Sequence, residues 1–168
     1  MRPHPVVLSM AFDRENIEDA KAAALRALEA RMRTRREIRD RLNRRGYTDA
    51  VVTRVLTDFE RAGLLDDRNY ARIYIENRQR TRPRGYALLK AELLRKGIAP
   101  NLAAEAVLEA RAERAEMEIA REVLAKAASR FASLPPDARR RRAASFLKSR
   151  GFGSDTMQAL LGEALEET

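Results

Sequence analysis

Three arginine-rich stretches are the parts of this sequence whose residue types and spacing could do chemistry. Residues 34–45 hold six arginines against two acids, and residues 137–150 hold six bases against one acid. Between residues 78 and 84 an arginine stands at every second position. A guanidinium stays charged and can bond an oxyanion through two parallel N–H groups. These stretches predict a surface that binds phosphates or an acidic protein, and the alternative is a set of solvated helix faces.

The candidate contact residues are the arginines of these stretches that we expect to be exposed. They are Arg35, Arg39, Arg44, Arg78, Arg82, Arg84, Arg140 and Arg141. A net charge of +9 and a pI of about 10.5 also indicate a polyanionic partner, usually nucleic acid, although an arginine-rich proteome would give the same balance. The charge is segregated, because residues 101–118 and the last sixteen residues carry an excess of acids.

Five aromatic side chains lie near the basic stretches. They are Tyr47, Tyr70, Tyr74, Tyr86 and Phe152. Such rings could stack on nucleic-acid bases. Their helical spacing beside leucines and isoleucines favours a place in the core instead.

The sequence contains no constellation that predicts an enzyme. It has no cysteine, no Gly-rich phosphate loop, and a single histidine, His4, beside two prolines. Asp66 and Asp67 could be imagined as a Mg²⁺ pair, but a helix cap followed by a partner for the helix dipole is favoured. We therefore expect no catalysis, metal or cofactor. We also expect no membrane span, and a soluble, cytoplasmic protein.

Helices must position these arginines, because the apolar residues are mainly Leu, Ala, Val and Ile, and Gly and Pro are few. Gly46, Gly97 and Gly151 each follow a leucine by four residues and directly precede a large apolar residue. Successive glycines of this set are 51 and 54 residues apart. A period of this size indicates tandem units, here of three helices each. The sequence therefore predicts an all-α fold of three tandem three-helix repeats.

The stretch from Gly63 to Ala71 ends one helix and begins another, and it divides the chain. We predict an N-terminal arm at 1–16, repeat 1 at 17–62, repeat 2 at 66–109 and repeat 3 at 111–166. The first helix is expected to bury a face that carries Ile17, Ala20, Ala24, Leu25, Leu28 and Met32. Repeat 3 is expected to open with one long helix over 111–132, which Pro135 and Pro136 end.

A set of short motifs falls at the helix junctions of this repeat. The motifs are Ala24-Leu25, Leu28, Arg31, Thr34, Glu37-Ile38, Leu42 and Gly46, then Gly63-Leu64-Leu65-Asp66-Asp67, Tyr70-Ala71, Arg84-Gly85, Glu92-Leu93, Lys96-Gly97-Ile98 and Arg150-Gly151-Phe152. In this pattern, over roughly residues 24–165, the sequence resembles the RecX family, regulators of the RecA recombinase. It departs from the family pattern at Thr34, where Ser is expected, and the arm at 1–23 is not covered.

The resemblance implies an elongated, curved array of the three repeats and a regulator without enzymatic activity. A RecX-like protein lies in the helical groove of the RecA filament on single-stranded DNA. There it blocks filament growth, favours disassembly, and lowers ATP hydrolysis and strand exchange. The implied partners are the RecA filament and single-stranded DNA, with double-stranded DNA as a further partner, and the protein is expected to be a monomer.

Two rival hypotheses stay open at this point. Residues 35–45 and 49–61 resemble a helix-turn-helix, which would make the protein a sequence-specific DNA binder. Against this, residues 49–61 carry two bases and three acids, a poor balance for a recognition helix. The second rival is a helical repeat scaffold that binds only protein and has no affinity for DNA.

Overall fold

The computed structural model describes residues 15–166, and the side chains of residues 15–162. Within that range the chain forms nine α-helices and no strand. They are α1 (Ile17–Ala30), α2 (Arg35–Arg44), α3 (Asp49–Arg61), α4 (Asp67–Thr81), α5 (Tyr86–Arg95), α6 (Pro100–Glu113), α7 (Glu116–Ala127), α8 (Pro136–Ser149) and α9 (Ser154–Glu166). The prediction of three tandem three-helix repeats is confirmed. Most of the predicted arm, with His4, lies outside the described residues.

Local sequence signals set many of the helix ends. Thr34 begins α2, because its hydroxyl oxygen accepts a hydrogen bond from the Glu37 N–H at 3.1 Å. Asp66 begins α4 in the same way, with its carboxylate 2.9 Å from the Asn69 N–H. Gly46, Gly97 and Gly151 follow the middle helices of the three repeats with φ values of 83°, 85° and 78°. The left-handed conformation that ends these helices suits glycine because it has no Cβ.

Helices α1–α3 form one compact unit, which ends at Leu65. Its core holds Ile38 and Leu42 of α2 against Val55 and Leu56 of α3. The face that α1 buries overlaps the predicted one at Ala20 and Ala24, and Leu28 packs at its side. It consists of alanines, namely Ala20, Ala23, Ala24 and Ala27, whereas Ile17, Leu25 and Met32 are 37–43% exposed. Alanine has the smallest side chain with a Cβ, so α1 can pack closely and its longer side chains lie at the edge of the contact.

Helices α4–α9 form the second compact unit, in which repeats 2 and 3 share one continuous apolar core. That core includes Leu93 of α5 and Leu147 of α8, which occupy the same place in their repeats. The backbones of the two repeats also touch. The Gly85 N–H donates to the Arg150 carbonyl at 2.9 Å, and a Cβ on Gly85 would lie 1.9 Å from the Gly151 carbonyl oxygen. Only glycine fits at position 85.

Glu116, the first residue of α7, binds the N-terminal turns of two other helices, α5 of repeat 2 and α9 of repeat 3. One carboxylate oxygen accepts from the Tyr86 N–H at 2.7 Å, and the other accepts from the Thr156 hydroxyl at 3.1 Å. Gly85 has no side chain to cap α5, so Glu116 of the next repeat supplies an acceptor for its first turn. A negative charge at the start of a helix also stabilises the helix dipole.

The predicted long helix over 111–132 is wrong. α6 continues to Glu113, Arg114 and Ala115 are extended, and α7 runs from Glu116 to Ala127 before a short 3₁₀ turn over Ala128–Arg130. The Tyr86 hydroxyl donates to the carbonyls of Ala110 and Arg114 at 2.8 and 2.9 Å, so α5 stabilises the break. Phe131 lies past the turn and packs edge-on against Phe146 of α8.

No helix in residues 15–166 combines the length and the apolar character that a membrane crossing requires.

Candidate functional site

The arginines of α2 lie on its outer side. Ile38 and Leu42 turn inward, and Arg39 and Arg44 are exposed. Arg35 is half-buried and its Nε lies 2.7 Å from a carboxylate oxygen of Glu60 on α3. Arg39 and Arg44 are therefore better placed than Arg35 to meet an external anion.

Arg78 near the end of α4 and Arg84 in the link to α5 turn inward onto a buried acid. Glu92 is 6% exposed and its carboxylate accepts from the Tyr74 hydroxyl at 2.7 Å. Arg84 pairs with one oxygen of Glu92, and the Arg78 Nε lies 3.7 Å from the other and donates to the Tyr74 hydroxyl at 3.1 Å. Burial, together with the charges of Arg78 and Arg82, lowers the pKa of the Arg84 guanidinium.

The expected exposure of Arg84 is therefore wrong, since its side chain is only 21% exposed. Arg78 is held as well, although it is partly open to solvent. Sequence reasoning named Glu92 only as part of the Glu92-Leu93 motif and gave its carboxylate no role. The available signal was its spacing, since Tyr86, Leu89, Glu92 and Leu93 fall on one face of α5.

The arginines of α8 have different roles. Arg140, Arg141 and Arg142 are exposed. Arg139 instead donates to the carbonyls of Ala132 and Leu134 at 3.0 and 3.2 Å, which fixes the turn before the helix. The predicted candidates Arg140 and Arg141 thus lie free on the outer side of repeat 3.

A cleft between repeats 2 and 3 gathers basic residues from separate segments. Its volume is about 430 Å³. It is lined by the end of α4 and the α4–α5 link, by Arg114 between α6 and α7, by the second half of α7 and the turn that follows, and by the end of α8. Its bases are Arg80, Arg82, Arg114, Lys126, Arg130 and Arg150, and its one acid is Glu122. We call this feature the basic cleft. Of the predicted candidates it contains Arg82 alone.

The charge in the basic cleft is largely uncompensated. Glu122 is bound to Arg114, which lowers the pKa of the Glu122 carboxyl. Burial lowers the pKa of the Arg150 guanidinium, and the charges of Arg82 and Arg130 lower it further. In the described part of the chain, no ion pair involves Arg82 or Arg130. Sequence reasoning missed most of these bases because they come from segments far apart in the chain.

The aromatic side chains near the basic stretches belong to the core, as their spacing favours. Tyr47, Tyr70, Tyr86 and Phe152 are buried. Tyr74 is partly buried, stacks on Tyr70 with 6.2 Å between ring centroids, and uses its hydroxyl on Glu92. These rings therefore stabilise the repeats and offer no open face for a nucleic-acid base.

Asp66 is a helix cap in the structure, as the sequence favours. Among the side chains that the structure describes, residues 15–162, no group of three or more His, Asp or Glu could hold a metal ion.

The fold and the site define a class of protein: a helical repeat protein with basic surfaces in its three-helix domains. Family models for the first, second and third three-helix domains of RecX match residues 20–59, 66–107 and 115–161. The chain belongs to the RecX family.

Relatives and solved structures agree with this assignment. A regulatory protein RecX of Streptomyces lividans is 33% identical over 154 residues, which are 92% of this chain and 81% of the relative. One from Prosthecochloris aestuarii is 34% identical over 152 residues, 88% of this chain and 96% of the relative. The fold is similar to the crystal structure of RecX from Lactobacillus salivarius, with a TM-score of 0.80, 24% identity, and coverage of 90% of this chain and 97% of that one.

Proposed function

We propose that this protein is a negative regulator of the RecA recombinase. In this proposal it binds the groove of the RecA filament on single-stranded DNA and blocks filament extension or promotes disassembly. ATP hydrolysis and strand exchange by RecA fall as a result. The protein acts by occupying the filament and catalyses no reaction itself. The observation that carries the proposal is the match of three successive RecX domains along the chain.

The distribution of exposed charge supports a polyanionic partner. Repeat 1 exposes Arg39 and Arg44, repeat 2 exposes Arg82, and repeat 3 exposes Arg140 and Arg141. A protein that neutralises phosphates with arginines gains affinity from the release of counterions. Basic residues on each repeat would let one molecule contact several phosphates or acidic side chains along a filament.

The first experiment is to titrate the protein into RecA during DNA-dependent ATP hydrolysis. We expect inhibition at well below one molecule per RecA, because a block at a growing filament end, or disassembly started there, affects many subunits. No inhibition at any ratio would contradict the proposed function.

Charge reversal in repeat 1 tests whether its basic face contributes. Arg39→Glu with Arg44→Glu should raise the concentration needed for half-inhibition by about tenfold, because two charges that attract the partner become repulsive. Arg26→Glu with Arg61→Glu is the matched control, since both side chains are exposed in the same unit. Equal inhibition by the two variants, with equal far-UV helical signals, would show that the α2 face is only a solvated surface.

The structure of α3 gives little support to the helix-turn-helix hypothesis. The helix that would enter the major groove is α3, and its Arg54 is occupied by Asp58 one turn later, at 3.1 Å. A specific binder keeps its discrimination between DNA sequences as salt rises. A protein that only neutralises phosphates loses affinity for all sequences alike, about a thousandfold between 50 and 200 mM salt if six phosphates are contacted. We expect the second behaviour.

A further inference from the structure

We propose that the basic cleft between repeats 2 and 3 binds the phosphodiester backbone of single-stranded nucleic acid. Arg82, Arg130 and Arg150 are the proposed phosphate ligands, and Lys126 adds a fourth positive charge. The inference rests on the proposed function in one respect only, that DNA is a partner of this protein.

The first support is the contrast between neighbouring arginines. Arg78 and Arg84 are both held by Glu92, so the fold supplies an acid where a guanidinium is structural. Arg82 lies between them in sequence and faces the cleft with no such acid. The single acid of the cleft, Glu122, is already bound to Arg114. The cleft therefore concentrates positive charge that the residues lining it leave uncompensated.

The second support is that the cleft is built on fixed backbone. Gly85 of repeat 2 bonds the Arg150 carbonyl, and its Cα lies so close to Gly151 that no side chain fits between them. The Arg150 guanidinium lies over the Phe146 ring, 4.8 Å from its centroid, and one N–H reaches the Pro83 carbonyl at 3.3 Å. An arginine has five N–H donors, so others remain for a ligand. A preorganised donor loses less entropy when an anion binds.

The third support is the repulsion among the positive charges that line the cleft. Arg150 is partly buried among positive neighbours, and both effects lower the pKa of its guanidinium. A bound anion would relieve both the burial and the repulsion, so the arrangement favours anion binding. Oxyanions with several acceptor oxygens satisfy guanidinium groups best.

The size of the cleft indicates which kind of polyanion it can bind. A volume of about 430 Å³ admits one or two phosphates of a flexible strand. A duplex presents its phosphates along a stiff, wide rod, whereas a flexible strand can bend to bring successive phosphates to the lining bases. An acidic side chain of a protein brings a single charge, whereas a nucleic-acid strand brings one charge with each nucleotide. The observations therefore favour a single strand over a duplex or a protein.

The experiment compares two charge-matched variants of the full chain. Arg82→Ala with Arg130→Ala removes two proposed ligands, and Arg95→Ala with Lys148→Ala removes two exposed bases of the same unit that do not line the cleft. Arg150 is left intact because it also packs between the repeats. Binding to a fluorescein-labelled oligothymidylate, without RecA, is measured by anisotropy between 50 and 200 mM salt.

We expect the cleft variant to lose about tenfold in affinity at 50 mM salt and the control less than about threefold. The slope of log affinity against log salt should become shallower by about 1.4 in the cleft variant, for two phosphate contacts to a single strand. Equal affinities and slopes for the two variants would overturn the proposal. So would undetectable binding of the unchanged protein at 50 mM salt.

Two further readouts separate this proposal from the proposed function. If the cleft variant binds the oligothymidylate like the control but fails to inhibit RecA, the cleft contacts protein and the inference is overturned while the proposed function stands. If it loses DNA binding although the unchanged protein never inhibits RecA, the inference stands and the proposed function fails. A blunt duplex that binds as tightly, with the same loss in the cleft variant, would overturn the preference for single strands.

Discussion

At the scale of residues, an arginine run does not say which of its members are free. At the end of α4 and along the link to α5, Arg78 and Arg84 turn inward to Glu92, and Arg82 turns to the cleft. On α8, Arg139 holds backbone carbonyls while Arg140 and Arg141 remain exposed. Adjacent bases of the same type thus divide into structural and available groups according to the partners that the fold brings to them.

Glu92 gives a prediction at this scale. Glu92→Ala should lower the free energy of unfolding by about 3 kcal/mol, because it leaves Arg84 without its partner in a half-buried place. Glu92→Gln should cost less, about 1–2 kcal/mol, since an amide oxygen can still accept from the Tyr74 hydroxyl. Urea unfolding followed by far-UV circular dichroism measures both values.

The control for Glu92 is Glu109→Ala on α6, where the side chain is exposed. Removing it should change the free energy of unfolding by less than about 0.5 kcal/mol. Similar losses in Glu92→Ala and Glu109→Ala would contradict a structural role for the buried acid.

At the scale of elements, helix ends that are decided locally have a signal in the sequence. The caps at Thr34 and Asp66 and the glycine stops at Gly46, Gly97 and Gly151 depend on residues within one turn. The break between α6 and α7 was predicted near residue 110, but it lies at Arg114 and Ala115. No glycine or proline marks it, and two of the hydrogen bonds at the break come from the Tyr86 hydroxyl, far back in the chain.

In the candidate site, too, the sequence predicts only the features whose residues are close together in the chain. The basic stretches are visible in sequence because their charges are consecutive. The basic cleft is not visible, because Arg82, Arg130 and Arg150 meet only once repeats 2 and 3 have packed together. The buried face of α1 was predicted correctly at Ala20 and Ala24 but wrongly at Ile17, Leu25 and Met32. Hydrophobicity favours leucine at a contact, whereas close packing of helices here favours small side chains.

Gly85 gives a prediction at the scale of elements. Gly85→Ala should lower the free energy of unfolding by at least about 2 kcal/mol, because its Cβ would overlap the Gly151 carbonyl and the backbones would have to separate. The matched control is Gly162→Ala within α9, where a new Cβ meets nothing within 4 Å. That change should stabilise by up to about 1 kcal/mol, because alanine favours a helix.

Thermal unfolding of the two variants should therefore shift in opposite directions from the unchanged protein. A Gly85→Ala variant as stable as the unchanged protein would mean that repeats 2 and 3 can separate locally without cost.

At the scale of the whole molecule, the described residues form two apolar cores for three repeats. Repeat 1 has a core of its own, whose last residue in the chain is Leu65, and repeats 2 and 3 share the second core. The unit of sequence repetition is thus not the unit of packing. Cooperative unfolding follows shared cores, so α4–α9 should open together.

Leu147→Ala tests that cooperativity. Leu147 belongs to α8, yet its loss should raise amide hydrogen exchange in α4–α6 as well as in α7–α9, because it is fully buried in the shared core. The expected cost is about 3 kcal/mol, typical of a leucine removed from a packed core. Exchange read by mass spectrometry assigns the change to segments.

Leu108→Ala serves as the control, since Leu108 is 70% exposed on α6. It should leave exchange in the second unit nearly unchanged. Faster exchange confined to α7–α9 in Leu147→Ala would contradict a single cooperative unit.

The shared core also has a consequence for synthesis on the ribosome. Repeat 1 has all the residues of its core once Leu65 has emerged, so it can fold while translation continues. Repeat 2 cannot complete its core when α6 has emerged, because its apolar faces pack with Leu147, Phe152 and Leu160, which are synthesised later. A nonsense mutation just after repeat 1 would release a fragment whose core is complete. A nonsense mutation after α6 would release a longer fragment in which repeat 2 exposes an apolar face that chaperones and proteases recognise.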